Sequence, residues 1–198
     1  MQDLKTTDIY LIDQILKGRF DYSQKIVDLG CGTGRNLAYF LKNGFNVYGI
    51  DAKEEAIEEA REHAMQWNPK AKLEQFKVKN IEKSGLTSRS FDLVICNAVL
   101  HFAESQAHFE QMLFAAFRLL KPGGFFFVRL ASDIGIEKLV KPLGNGRYLL
   151  PDESERFLVS QEMLLHYTKQ LKAQLAEPIK TTNVQNLRCM TTWCLTRR

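Results

Sequence analysis

The residues best suited to chemistry lie in Asp28-Leu29-Gly30-Cys31-Gly32-Thr33-Gly34, between an apolar run and a helical stretch. Glycines here permit positive φ and let a ligand approach the backbone closely. The start of the following helix adds free N–H groups and partial positive charge. A dinucleotide fingerprint would read G-x-G-x-x-G. Here the spacing is G-x-G-x-G, and Arg35 stands where the third glycine would be. Asp28 would oppose a pyrophosphate but would favour an ammonium or sulfonium. A tight strand–helix turn alone would also explain these glycines. Asp51 ends the next strand-like run, 17 residues past Gly34. Its carboxylate can accept hydrogen bonds from two ribose hydroxyls, and it can equally cap the next helix. His101, beyond a later apolar run, is poised near neutral pH and is a candidate general base. Covering a bound ligand is its alternative role.

These residues need a scaffold, and apolar periodicity supplies one. Ile9, Ile12 and Leu16 mark a first helix, with Gly18 as its stop. Strands are expected at Lys25–Leu29, Asn46–Ile50, Leu73–Val78, Phe91–Cys96 and Phe125–Leu130. Helices fall between them, on Leu37, Phe40 and Leu41, on Ala56, Ile57, Ala60 and Ala64, and on Phe109 to Leu120. The last of these is stopped by Lys121-Pro122-Gly123-Gly124. Periodicity fades over residues 131–159, which read as a structureless substrate loop or lid. Met163, Leu164, Tyr167 and Leu171 suggest a final helix. Ala173–Lys180 and Asn186–Thr196 then read as an antiparallel hairpin turning at Thr181-Thr182-Asn183. Alternating strands and helices imply a parallel sheet with right-handed crossovers. The expected fold class is α/β: a doubly wound, Rossmann-like, seven-stranded sheet with a C-terminal antiparallel hairpin. Residues 1–198 form one domain, with residues 1–24 as an N-terminal helical segment.

Taken in order, these segments resemble the class I S-adenosylmethionine-dependent methyltransferase superfamily over nearly the whole chain. The first motif is Asp28 to Gly34. The ribose strand is Tyr48-Gly49-Ile50-Asp51, and Val78-Lys79-Asn80-Ile81 falls at the adenine motif. Phe91 to Asn97 matches the fourth-strand motif, and Leu119-Leu120-Lys121-Pro122-Gly123-Gly124 the turn before strand five. Gly34-Arg35-Asn36 and Arg188-Cys189-Met190-Thr191-Thr192-Trp193 are similar to the small tellurite-resistance-like branch. The resemblance implies an S-adenosyl-L-methionine cofactor and in-line methyl transfer to a small molecule. Gly30, Cys31, Gly32 and Gly34 would bring their backbone to the methionine moiety, and Asp28 would help hold its amino group. Asp51 would bind the ribose, with Ala52 near the adenine. Asn80 stands where relatives often carry an acid and would accept from the adenine amino group. Ile81 would offer its N–H to the ring, and Asn97 its carbonyl to the amino group.

Composition sets the boundaries. The chain is 198 residues long, 45% hydrophobic, with a formal net charge of +4. No run of five or six like charges indicates a nucleic-acid arm, and no 18-residue apolar stretch indicates a membrane span. The N-terminus lacks a signal peptide's regions. Cys31, Cys96, Cys189 and Cys194 form no CxxC pair, so free thiols in a cytoplasmic protein are expected. No His or Cys cluster has metal-ligand spacing. A monomer or homodimer is expected, with a small-molecule acceptor and no nucleic-acid or membrane partner. Three other readings stay open. They are an oxidoreductase using a nucleotide cofactor, a non-enzymatic S-adenosylmethionine-binding protein and a nucleic-acid methyltransferase. Against the last, Asn97-Ala98-Val99-Leu100 replaces the Asn-Pro-Pro-aromatic run of amino-group modifiers.

Overall fold

The computed structural model describes residues 6–198; the expected reading of Met1–Lys5 lies outside them. Helix α1 spans Ile9–Leu16, and β1 spans Lys25–Leu29, a short apolar strand buried from Ile26 onward. A 3₁₀ turn at Arg35–Leu37 leads into α2, Ala38–Lys42. Then come β2 (Asn46–Asp51), α3 (Glu54–Trp67) and β3 (Phe76–Val78). Next are β4 (Phe91–Asn97), α4 (Gln106–Phe117) and β5 (Leu120–Ser132). Short strands β6 (Lys141–Gly144), β7 (Arg147–Leu149) and β8 (Glu155–Phe157) precede α5 (Gln161–Gln170). The chain closes with β9 (Ala173–Leu175), β10 (Lys180–Val184) and β11 (Arg188–Arg197).

The main sheet runs β10-β11-β5-β4-β1-β2-β3, and short β9 pairs with β11 beside it. Strands β1 to β5 are parallel where they pair, while β11 runs antiparallel to β5, β9 and β10. Helices cover both faces. Phe126, Val128, Leu113, Leu164 and Trp193 form one apolar layer; Leu93, Ile95, Phe127, Phe40 and Ile57 form the other. The Phe125-Phe126-Phe127 run thus alternates between layers, as a strand buried on both faces must. Between β4 and β2, the chain order reverses at β1. Such a switch point opens a crevice beyond the carboxyl ends of the strands.

Several expectations are corrected. The α1 stripe was placed on Ile9, Ile12 and Leu16, yet Ile9 is 71% and Leu16 75% exposed, while Leu11 and Gln14 are buried. The buried Gln14 Nε2 donates to Asp13 and Glu177, while its Oε1 has no partner. The third strand is shorter than expected, since Leu73–Gln75 winds into a 3₁₀ turn. Helix α4 ends before Leu120, and Lys121–Gly124 forms an irregularity inside β5, where the register against β4 shifts. Residues 131–159 are not structureless: they finish β5 and build the separate antiparallel sheet β6-β7-β8. The final hairpin turns at Gln185 and Asn186, both at positive φ, rather than at Thr181–Asn183, which lie in β10.

Candidate active site

The glycine turn leaves β1 at the switch point. Gly30 and Cys31 donate their N–H groups to Ile50 O at 2.7 and 3.0 Å, which ties the turn to β2. At the end of β2, Asp51 Oδ2 accepts from Gly32 N at 2.9 Å, and Oδ1 accepts from Lys53 N at 3.0 Å. Each carboxylate oxygen retains a lone pair for another donor. Asp51 therefore fixes the turn while keeping capacity for a ligand. Ala98, after β4, adopts φ 58° and donates to Arg129 O at 2.7 Å. Left-handed backbone at a non-glycine residue costs energy and is concentrated at functional sites. It presents Val99 to Gly30, where an added Cβ would lie 2.5 Å from Val99 Cγ2.

A cavity of about 830 Å³ opens here. Gly30, Gly32, Asp51, Ala52, Asn80 and Ile81 are on its wall, each expected from sequence. At Gly32, φ is 53° and an added Cβ would project into open space, so the missing side chain clears a cradle. Other expected residues lie elsewhere. Gly34, at φ 82°, caps the 3₁₀ turn and faces α3, where a Cβ would meet Ala60 at 3.5 Å. The Cys31 thiol packs over Gly49, and burial raises it well above the usual thiol range. Asp28 and Asn97 are buried beneath the turn, and neither side chain has a hydrogen-bond partner for either of its polar atoms. Burial first, and Asp51 after it, push the Asp28 carboxyl up to about 8 against the opposing pull of Arg35 and, more weakly, of the nearby Asn36 side chain.

His101 is also buried, and its Nδ1 accepts the Ala131 N–H at 3.1 Å. That bond assigns the proton of the neutral ring to Nε2. Burial, followed by the charges of Arg156 and Arg129, lowers its pKa to about 4. The ring is thus neutral near pH 7 with its one lone pair engaged. It is arranged as a donor, which speaks against the expected general-base role.

His108, on α4, is also on the cavity wall, although it was not among the site residues expected from sequence. Its Nε2 lies 2.7 Å from Glu82 Oε1, and Gln111 and Met112 follow one turn later on α4. The spacing of residues 108, 111 and 112 marks one helix face, which is the available sequence signal. Phe102 also lines the cavity, with the Arg156 guanidinium 5.0 Å from its ring centroid.

This sheet order, with a glycine cradle and a strand-end carboxylate at its switch point, defines the class I S-adenosylmethionine-dependent methyltransferase architecture. The chain belongs to the methyltransferase domain family, whose pattern matches residues 27–128. A ubiquinone biosynthesis O-methyltransferase of Vibrio parahaemolyticus is 26% identical over 152 residues, covering 72% of this chain. The match spans 61% of that relative's length. A SAM-dependent methyltransferase of Methanosarcina mazei superposes with a TM-score of 0.75 at 21% identity, covering 92% of this chain and 96% of that one. The 1,6-didemethyltoxoflavin-N1-methyltransferase of Burkholderia thailandensis superposes with a TM-score of 0.70 at 18% identity, covering 99% and 80% respectively. At these identities the two structures share the fold.

Proposed function

We propose that this protein is an S-adenosylmethionine-dependent methyltransferase acting on a small molecule. The observation that carries this is Asp28, a fully buried carboxyl with neither oxygen partnered, at the base of the glycine turn. A buried acid is stabilised by a cation and destabilised by a pyrophosphate. This separates a ligand bearing an ammonium from a dinucleotide. The open cradle at Gly32 and the spare lone pairs of Asp51 fit the same ligand.

When bound, S-adenosylmethionine supplies a methyl group already activated on a sulfonium, so the protein need mainly align the acceptor and exclude water. Asp28 would hold the amino group, with the Asn97 carbonyl as a second acceptor for it. Gly30 and Gly32 would lie along the methionine moiety. Asp51 would bind the ribose hydroxyls, Ala52 and Ile81 would flank the adenine, and the Asn80 amide oxygen would accept from its amino group. The β6-β7-β8 unit would wall the acceptor side. Arg156 of β8, stacked on cavity-lining Phe102, supports that placement.

The names of the relatives support a small-molecule acceptor and favour oxygen as its reacting atom. Among the described residues no helix is long and apolar enough to cross a membrane. The free thiols suit a reducing compartment such as the cytoplasm. Calorimetric titration with S-adenosylhomocysteine and with NAD tests the reading. We expect S-adenosylhomocysteine to bind and NAD not to; binding of NAD alone would overturn it.

A further inference from the structure

A row of polar side chains crosses the sheet beside the cofactor turn. Asn97 on β4 stands in register with Arg129 on β5, and Arg129 stands in register with Thr192 on β11. The three therefore occupy adjacent positions on one sheet face. Each carries buried polar atoms without a partner: Asn97 Nδ2 and Oδ1, Arg129 Nε and Thr192 Oγ1. Buried polar groups in folded proteins are nearly always paired. Unpaired polar atoms on three neighbours in one row point to a ligand that pairs them.

The character of that ligand follows from the donors. Arg129 makes an ion pair with Asp8 at 3.3 Å through one Nη, but a guanidinium has five N–H groups. Asn97 adds two amide hydrogens. His101, held neutral first by burial and then by the charges of Arg156 and Arg129, has Nδ1 already bonded and carries its proton on Nε2. Arg129 is the cation that belongs to this row, whereas Arg156 lies on β8 and stacks on Phe102. The Asp8 carboxylate is engaged by Arg129 and by Tyr10 N, so it is not a spare base.

We propose that the methyl acceptor is an oxyanion, a carboxylate or an ionised phenol, seated against Arg129 and Asn97. This rests on the methyltransferase reading above. An oxygen lone pair of the anion forms the new O–CH₃ bond as the C–S bond breaks. The electron pair of that bond passes to sulfur, and no proton moves. An anionic acceptor accordingly needs no general base, and His101 provides none.

The test titrates the protein, saturated with S-adenosylhomocysteine, with three probes sharing one ring at pH 7. They are 4-hydroxybenzoate (an anion), 4-hydroxybenzyl alcohol (neutral) and tyramine (a cation). The anion is expected to bind tightest. Arg129→Gln should weaken it by about tenfold or more. Asp8→Asn, which keeps a good helix cap, frees Arg129 and should strengthen it. The proposal is overturned if the cation or the neutral probe binds as well as the anion, if Arg129→Gln changes nothing, or if no probe binds. Should Arg129→Gln fail to fold, Asp8→Asn decides alone, and an unchanged affinity for 4-hydroxybenzoate overturns the proposal. Absence of S-adenosylhomocysteine binding would instead sink the methyltransferase reading itself.

Discussion

Replacing Asp28 by Asn removes a titrating group without changing side-chain shape. In the free protein the Asp28 carboxyl is pushed up to about 8, burial being the largest cause. At pH 7 it is therefore mostly protonated. An ammonium placed against it favours the ionised form. Binding S-adenosylhomocysteine at pH 7 should then release most of one proton from this site, an amount that shrinks as the pH passes about 8. Calorimetry in two buffers of different ionisation enthalpy reads this amount directly. His101, near 4, is neutral at pH 7 and adds nothing. Asp28→Asn should abolish the release and weaken binding on the order of tenfold to a hundredfold, as expected for a hydrogen bond to a charged group. The same shift bears on stability. A raised carboxyl stabilises the fold fully below its ordinary 3.8, and that contribution is lost as the pH rises through about 8. The free wild-type protein should lose melting temperature relative to Asp28→Asn across that window. Binding without proton release at pH 7 in the wild type would refute the assignment of Asp28.

Two further changes probe the cradle and the histidine. Gly30→Ala adds a Cβ at φ 73°, only 2.5 Å from Val99 Cγ2, and should cost ~2–4 kcal/mol in denaturant unfolding, from left-handed strain and overpacking together; a loss well under 1 kcal/mol would show that the turn relaxes freely. The rate profile of the wild type should show no break attributable to His101 between pH 5 and 8, because the ring titrates near 4; a break near 6.5 that disappears in His101→Ala would restore the ring as a base.

The legible parts of this fold are those whose pattern is local. Strand β1 could be read to both ends because an apolar run stands between polar turns, and the glycine turn follows directly on it. The helix α1 could be placed, but its face could not. An eight-residue helix offers few turns, and its orientation is set by distant partners, Glu177 for Gln14 and Arg129 for Asp8. The β6-β7-β8 unit escaped because its strands are three or four residues long and bury little: Ala131, Leu150 and Leu158 form a small satellite core. Alternation over so few residues is too brief to register. Strand-end residues such as Asp51 were legible because the sheet order places them in one crevice. The row of Asn97, Arg129 and Thr192 was not, because it exists only in the register between three strands separated by many residues.

The N-terminal segment joins the two halves of the site. Thr7 Oγ1 donates to Arg35 O at 3.4 Å, Arg35 Nη1 donates to Thr6 O at 3.1 Å, and Asp8 N donates to Asn36 Oδ1 at 3.0 Å. These bonds anchor the segment on the turn that follows the glycines. From there Asp8 reaches across to Arg129 on β5, and the Tyr10 hydroxyl bonds Thr182 on β10. A single short stretch therefore touches the helix start behind the cofactor turn and the cation assigned to the acceptor. Arg35, which this stretch helps to hold, also lowers the Asp28 carboxyl against its burial. The strap thus pairs Arg129 directly and helps to position Arg35, which opposes the effect of burial on Asp28. On the proposed reading, acceptor recognition would be shared between this strap and the β6-β7-β8 sheet.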